Sequence, residues 1–407
     1  MKITAGGVTA AKGFEAAGTE AAIKYQNRKD MAIIYSQKPC VLAGTFTSNV
    51  VKAAPVLWDK KIVEDALFGQ AVIVNAGIAN ACTGQEGTDY CSQTAKKASL
   101  LLNIPEEAVL VASTGVIGMQ LPIDRIKKGI EKLVEAKSDS LEAGTEAAEA
   151  IMTTDTRVKQ AAAEIEVGGV KVRIGGMSKG SGMIHPNMCT MLAFVTTDAV
   201  ISKELLTKAV KADVKDTFNM ISVDGDTSTN DTLLVMANGM AENPEIKEGT
   251  PEYESFCQAL HYVNETLAKM MAGDGEGATA LLETKVIGAA TKEDARLLSK
   301  SVVSSSLVKA MVYGHDANSG RILCALGYSG VDFDPEKIEV FLKGEKDSIQ
   351  IYKDGMVAPY SEEEATKIIS ESKVHILVDM KMENETATAW GCDLTYDYVK
   401  INADYRS

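Results

Sequence analysis

Lys179-Gly180-Ser181-Gly182-Met183-Ile184-His185-Pro186-Asn187-Met188-Cys189-Thr190-Met191-Leu192-Ala193-Phe194-Val195-Thr196-Thr197-Asp198 is the stretch from which the rest of the chain can be read. Gly180, Gly182 and Pro186 make its first half a poor helix. The apolar run from Met191 to Val195 then reads as a buried strand. Thr190 stands at the junction. Its hydroxyl can attack the carbonyl of Cys189 if the loop strains that peptide, giving an ester that water hydrolyses. Scission there would make Thr190 a new N-terminus. A free α-amine has a pKa of about 7.7 to 8.0 and can take the proton of its own residue's hydroxyl near neutral pH. No histidine is then required. From the residues alone, a threonine that merely opens a core strand remains the plain alternative.

Outward from this stretch, strand-like and helix-like patterns alternate. Met31 to Tyr35, Val41 to Phe46, Ala71 to Val74 and Val109 to Ala112 are short apolar runs that predict separate buried strands. In residues 124–135, Ile126, Ile130, Leu133 and Val134 share one helical face opposite Lys127, Lys128 and Glu131. Residues 164–174 alternate charged and apolar around Gly168-Gly169, which predicts a hairpin, and residues 337–352 resemble another. Two further helical stripes are Leu206, Val210, Val214 and Phe218, and Phe256, Leu260, Val263 and Leu267. With helices and strands mixed throughout and no repeat visible, the expectation is a layered α/β or α+β body.

Composition narrows the function. Over 407 residues, 45% apolar and 24% charged is an ordinary globular balance. The net charge of −14 repels phosphate backbones and anionic membrane surfaces, so nucleic acid and membrane are not expected partners. Seven widely spaced cysteines without a C-x-x-C pair fit reduced thiols in a cytoplasm. The N-terminal residues do not read as a secretory signal, and the uncharged stretches are too interrupted to span a bilayer.

Several motifs can be set aside. Gly273-Asp274-Gly275-Glu276-Gly277 lacks the sixth-position glycine of a dinucleotide loop and follows a helical pattern. Lys179 is followed by glycine where a phosphate loop needs Ser or Thr, and the four histidines have no metal-ligand spacing. Asp224-Gly225-Asp226 reads as turn chemistry. Gly176-Met177-Ser178-Lys179-Gly180 matches a hydrolase elbow, but no helix is expected after it. No metal and no cofactor are expected.

The stretch 179–192 resembles the signature of the glutamate N-acetyltransferase and ornithine acetyltransferase family of arginine biosynthesis, with Cys189 in place of a common alanine. The resemblance extends to Gly6-Gly7-Val8-Thr9-Ala10-Ala11-Lys12-Gly13-Phe14, Asn80-Ala81-Cys82-Thr83-Gly84, Ser113-Thr114-Gly115-Val116-Ile117-Gly118, residues 222–231, and Ile401-Asn402-Ala403-Asp404-Tyr405-Arg406-Ser407. Ile78 and Ser319 depart from it, where asparagine and tryptophan are usual, which puts packing in question more than the reaction.

The resemblance implies an αββα sandwich like that of N-terminal-nucleophile hydrolases, with a smaller additional α/β region. It implies self-cleavage between Cys189 and Thr190 into an α chain (1–189) and a β chain (190–407), two of each associating. It implies ping-pong acetyl transfer from N-acetylornithine to glutamate through an acetyl ester of Thr190, with acetyl-CoA left open as a further donor and a substrate only. Thr114 and Gly115 would form the oxyanion hole, and their place after the apolar run Val109 to Ala112 agrees. Thr153, Lys179, Thr190, Glu276, Asn402 and Ser407 would bind substrate. An ammonium such as Lys179 suits an α-carboxylate, and Glu276 suits a cationic group. A self-processed aminopeptidase or amidase, an uncut binding protein, and a Cys189 nucleophile with His185 as base are the competing readings.

Overall fold

The computed structural model describes residues 1–185 and 191–404. Its strands, in chain order, are β1 (Lys2–Thr4), β2 (Phe14–Thr19), β3 (Met31–Phe46), β4 (Gly69–Ile78), β5 (Val109–Val116), β6 (Lys159–Val167), β7 (Val170–Lys179) and β8 (Leu192–Thr197). They continue with β9 (Ile221–Ser222), β10 (Thr232–Ala237), β11 (Leu281–Ala289), β12 (Glu339–Lys343), β13 (Ser348–Lys353), β14 (Met356–Val357), β15 (Lys373–Asp379) and β16 (Glu385–Cys392). The helices that matter below are α1 (Ala54–Asp65), α2 (Gly84–Leu102), α3 (Ile123–Ala136), α4 (Leu141–Ala150), α5 (Lys203–Asp213) and α6 (Pro251–Ala272). The chain forms two compact units.

The first unit comprises Met1–Gly180, the described residues of 186–219, and Thr227–Leu267. Its nine-stranded sheet runs β1-β6-β7-β8-β10-β3-β4-β5, with β2 also on β3. The two runs read from the sequence as separate strands are one. β3 is a 16-residue strand whose first part pairs with β2 and β4 and whose second part pairs with β10. Its register breaks between Tyr35 and Cys40, where Gln37, Lys38 and Pro39 are exposed. That polar interval is the passage of one strand from one half of the sheet to the other, and it has the composition of a turn.

The two halves enclose a core of Ile34, Leu42, Val74, Leu110, Met177, Phe194, Leu234 and Met236. On the outer face of the β2-β3-β4-β5 half, Met31, Ile33, Ala71 and Ile73 pack with Cys91 and Ala95 of α2 and Ile126, Ile130 and Leu133 of α3. On the other outer face, α5 packs on β3, and a side chain at Gly176 of β7 would meet Leu267 of α6. Helix, sheet, sheet and helix are therefore stacked in the expected α/β order, because each strand alternates its side chains between an inner and an outer core. The helix read over 124–135 is α3, and the hairpin read at Gly168-Gly169 joins β6 to β7 with both glycines at positive φ. Ile78 belongs to the α2–α3 core.

The second unit comprises Ser181–His185, Met220–Asp226 and the described residues of 268–407, around a seven-stranded sheet ordered β14-β13-β12-β15-β11-β16-β9. The hairpin read over 337–352 is β12–β13. Ser319 is buried at the start of a helix, Ser319–Gly327. Glu283 of β11 lies directly between His375 of β15 and Trp390 of β16. His375 Nδ1 lies 3.1 Å from one carboxylate oxygen, and Trp390 Nε1 donates to the other at 2.7 Å. Burial raises the Glu283 pKa, but these hydrogen bonds and the charge of Lys269 outweigh it and hold the carboxyl at about 2.

A folded pKa below the unfolded value gives stability that is present above the unfolded pKa and lost as pH falls through the folded one. The denaturation midpoint is therefore expected to drop as pH is lowered from about 5 towards about 2. Glu283→Gln should start lower at neutral pH and fall less steeply. An unchanged slope would show that Glu283 is not part of the acid response.

No helix among the described residues is long and apolar enough to cross a membrane. The described cysteines, Cys40, Cys82, Cys91, Cys257, Cys324 and Cys392, are free.

Candidate active site

In the first unit, β4 and β5 run parallel and their C-terminal ends are irregular where Gly77 faces Gly115. Gly115 has φ +127°, and a Cβ there would sit 2.2 Å from the Gly77 carbonyl carbon. Only glycine fits, because both the backbone angle and the neighbouring chain exclude a side chain. Thr114, immediately before it, is 9% exposed. The strand end thus presents a hydroxyl and a bent backbone side by side.

Lys179 ends β7 and reaches the same place. Its Nζ donates to Thr114 Oγ1 at 3.2 Å and to Thr153 Oγ1 at 2.9 Å. Since Thr114 Oγ1 accepts from the ammonium, its own O–H remains a donor for another group. Thr153 follows α4 in a loop whose Met152 and Thr153 carbonyls accept from the Arg28 guanidinium. The three residues meet although they are far apart in sequence.

Beneath them is a carboxylate that sequence reasoning did not single out. Asp155 accepts from Lys159 Nζ at 2.7 Å, from the Gly180 N–H at 2.7 Å and from the Thr153 N–H at 3.1 Å, with Lys179 Nζ 3.9 Å away. The Asp155 and Lys159 side chains are both 0% exposed. Burial raises the Asp155 pKa, yet the charges of Lys179 and Lys159 and these hydrogen bonds bring it down to about 2. The carboxylate therefore stays ionised and fixes Thr153, Gly180 and the base of Lys179 together. A lysine opening β6 four residues after Asp155 was the available signal.

In the second unit, Glu276 and Asn402 are brought together: Asn402 Nδ2 donates to Glu276 Oε2 at 2.7 Å. The Glu276 N–H donates to the Ser181 carbonyl at 2.8 Å. A Cβ at Gly182 would lie 2.3 Å from the Glu276 carboxyl carbon, so glycine at 182 permits this approach. Asp224, read as turn chemistry, accepts from the Met183 and Ile184 N–H groups and from Tyr398 Oη. Cys189, Thr190 and Ser407 lie outside the described residues.

Two set-aside motifs have definite places. Ser178 is buried inside β7, away from any elbow, with no hydrogen-bond partner for its Oγ among the described residues. His185 lies 3.0 Å from Ser222 Oγ through Nδ1, and burial together with Lys300 and Lys309 pushes its pKa down to about 4.

The family model for the ArgJ family matches residues 15–407. The chain belongs to the ArgJ family. Relatives named arginine biosynthesis bifunctional protein ArgJ include that of Caldanaerobacter subterraneus subsp. tengcongensis, 52% identical with all of both chains covered, and that of Listeria monocytogenes, 47% identical with the same coverage. The crystal structure of arginine biosynthesis bifunctional protein argJ from Bacillus halodurans is 48% identical and covers 52% of this chain and 98% of its own, with a TM-score of 0.50. The Thr114–Thr153–Lys179 cluster is the candidate functional group of the first unit of this ArgJ family member, and the Glu276–Asn402 pair that of the second.

Proposed function

We propose that this ArgJ family member is a self-cleaving acetyltransferase of arginine biosynthesis that moves the acetyl group of N-acetylornithine to glutamate. The observation that carries the reading is the Lys179 ammonium held between the hydroxyls of Thr114 and Thr153 at a strand end that only glycine can complete.

The chain cuts itself between Cys189 and Thr190, and the Thr190 amine then serves as base for its own hydroxyl. Thr190 Oγ attacks the acetyl carbonyl of N-acetylornithine. The oxyanion that forms takes hydrogen bonds from Thr114 O–H and Gly115 N–H, a contribution of about 10² to 10³ in rate per donor. Collapse breaks the C–N bond, the proton goes to the departing amine, and ornithine leaves an acetyl ester on Thr190. The amine of glutamate attacks that ester through the same oxyanion and loses its proton to the Thr190 amine; collapse breaks the bond between Thr190 Oγ and the acetyl carbon, the proton passes back to Oγ, and N-acetylglutamate departs. Lys179 and Thr153 hold a carboxylate of the substrate, Glu276 with Asn402 an amine, and Ser407 a further polar group.

Neither metal nor cofactor is needed. The relatives are called bifunctional, which fits a second donor, for which acetyl-CoA is the candidate.

Two findings support the cut. The Bacillus halodurans chain is matched almost entirely yet spans about half of this one, the length relation a central break produces. The α chain (1–189) and β chain (190–407) would also remain joined, because β7 pairs with β8 and β3 with β10 in one sheet. Two of each make the assembly, and the free thiols fit a reducing cytoplasm.

The test is product analysis with N-acetylornithine, with and without glutamate. Ornithine and N-acetylglutamate should appear in equal amounts when glutamate is present. Acetate as the product in both cases would make the protein an amidase.

A further inference from the structure

We propose that Asn230 is a positioning residue for the oxyanion donors, acting by bridging the ends of β4 and β5 through its carboxamide. The assignment rests on the proposed role of Thr114 and Gly115. Asn230 Nδ2 donates to the Ala79 carbonyl at 2.6 Å and to the Ser113 carbonyl at 2.7 Å, while Oδ1 accepts from Thr229 Oγ1 at 2.6 Å. Both amide protons are used, and the side chain is buried.

An asparagine that merely shapes a turn bonds its own backbone about two residues on. The acceptors here lie 151 and 117 positions away. They are also the two that matter for the hole. The Ser113 carbonyl belongs to the peptide that carries the Thr114 N–H. Ala79, whose carbonyl the amide holds, donates its own N–H to the Val116 carbonyl at 2.9 Å. Thr114 and Gly115 are therefore fixed from both sides, at Ser113 by Asn230 and at Val116 by Ala79. Asn75 adds a second tie, accepting from Ser113 Oγ at 2.6 Å and donating to the Ile78 carbonyl at 2.9 Å. A glycine at positive φ has unusual freedom, so the direction of its N–H depends on such flanking bonds. Oxyanion donors contribute only when aimed at the position of the developing charge, and misplacement by about 1 Å can cost about 10² in rate.

Asn230→Asp keeps the shape and removes both donors. It is expected to lower kcat between about tenfold and a hundredfold while KM for N-acetylornithine and glutamate stays within about twofold. Asn230→Ser, too short to span the two carbonyls, should act in the same direction. Trp58→Phe is the control for general loosening of β5, since Trp58 Nε1 donates to the Val109 carbonyl at the other end of that strand. It should lower the melting temperature and leave kcat within about twofold.

Retained kcat in either folded Asn230 variant overturns the assignment. So does a rise in KM equal to the fall in kcat, a Trp58→Phe loss as large as that of Asn230→Asp, or failure of both Asn230 variants to fold. Absence of acetyl transfer in the unsubstituted protein would instead remove the reading on which the assignment rests.

Discussion

Replacing Thr190 with alanine is expected to leave one unbroken 407-residue chain that transfers no acetyl group. Both consequences share one cause. In the proposed mechanism the hydroxyl that attacks the Cys189 carbonyl during maturation is the same one that later carries the acetyl ester, and the amine that activates it exists only after the cut. Loss of a covalent nucleophile is not compensated by the remaining machinery, so turnover should fall by about 10⁴ or more. Electrophoresis under denaturing conditions and an ornithine-release assay report the two outcomes separately. Thr190→Ser, which retains a hydroxyl, should still be cut. An alanine variant that is cut and active would place the nucleophile elsewhere.

The largest expected effect on stability is at Asp155. Its carboxylate joins Lys159, Gly180 and Thr153 where neither its own side chain nor that of Lys159 is exposed to water. Asp155→Ala leaves the buried Lys159 ammonium without that counter-charge. Breaking a buried ion pair by removing one partner costs about 3 to 5 kcal/mol, far more than a surface pair contributes. Chemical denaturation should show this as a lower midpoint. Any protein that folds should also bind substrate more weakly, because Lys179 and Thr153 lose their common anchor. Asp155→Ala with a wild-type midpoint would show that the ion pair does not hold this part of the first unit together.

Much of the fold could be read from alternation and helical spacing, and the exception is instructive. Residues 31–46 looked like two strands because Gln37, Lys38 and Pro39 interrupt the apolar pattern. A strand that crosses from one half of a sheet to another exposes its middle, and exposure there looks the same in sequence as a turn. The site divides in a similar way. Thr114, Gly115 and Lys179 stand beside glycines or strand ends within the family-like motifs, Glu276 stands in the glycine-rich stretch 273–277 outside them, and the structure gathers them into two groups, one in each unit. Asp155, Lys159 and Asn230 escaped because they act on other residues. Asp155 sits among threonines and Asn230 among turn-forming residues, where the local reading is turn chemistry. Their importance comes from partners remote in sequence, which neither periodicity nor spacing can supply.

Intact mass combined with N-terminal sequencing of the purified, active protein tests the account most directly. Two polypeptides are expected, the second beginning at Thr190, and brief exposure to N-acetylornithine should add one acetyl group to that fragment alone. A single polypeptide in fully active material, or an acetyl group retained on any other residue, would contradict it.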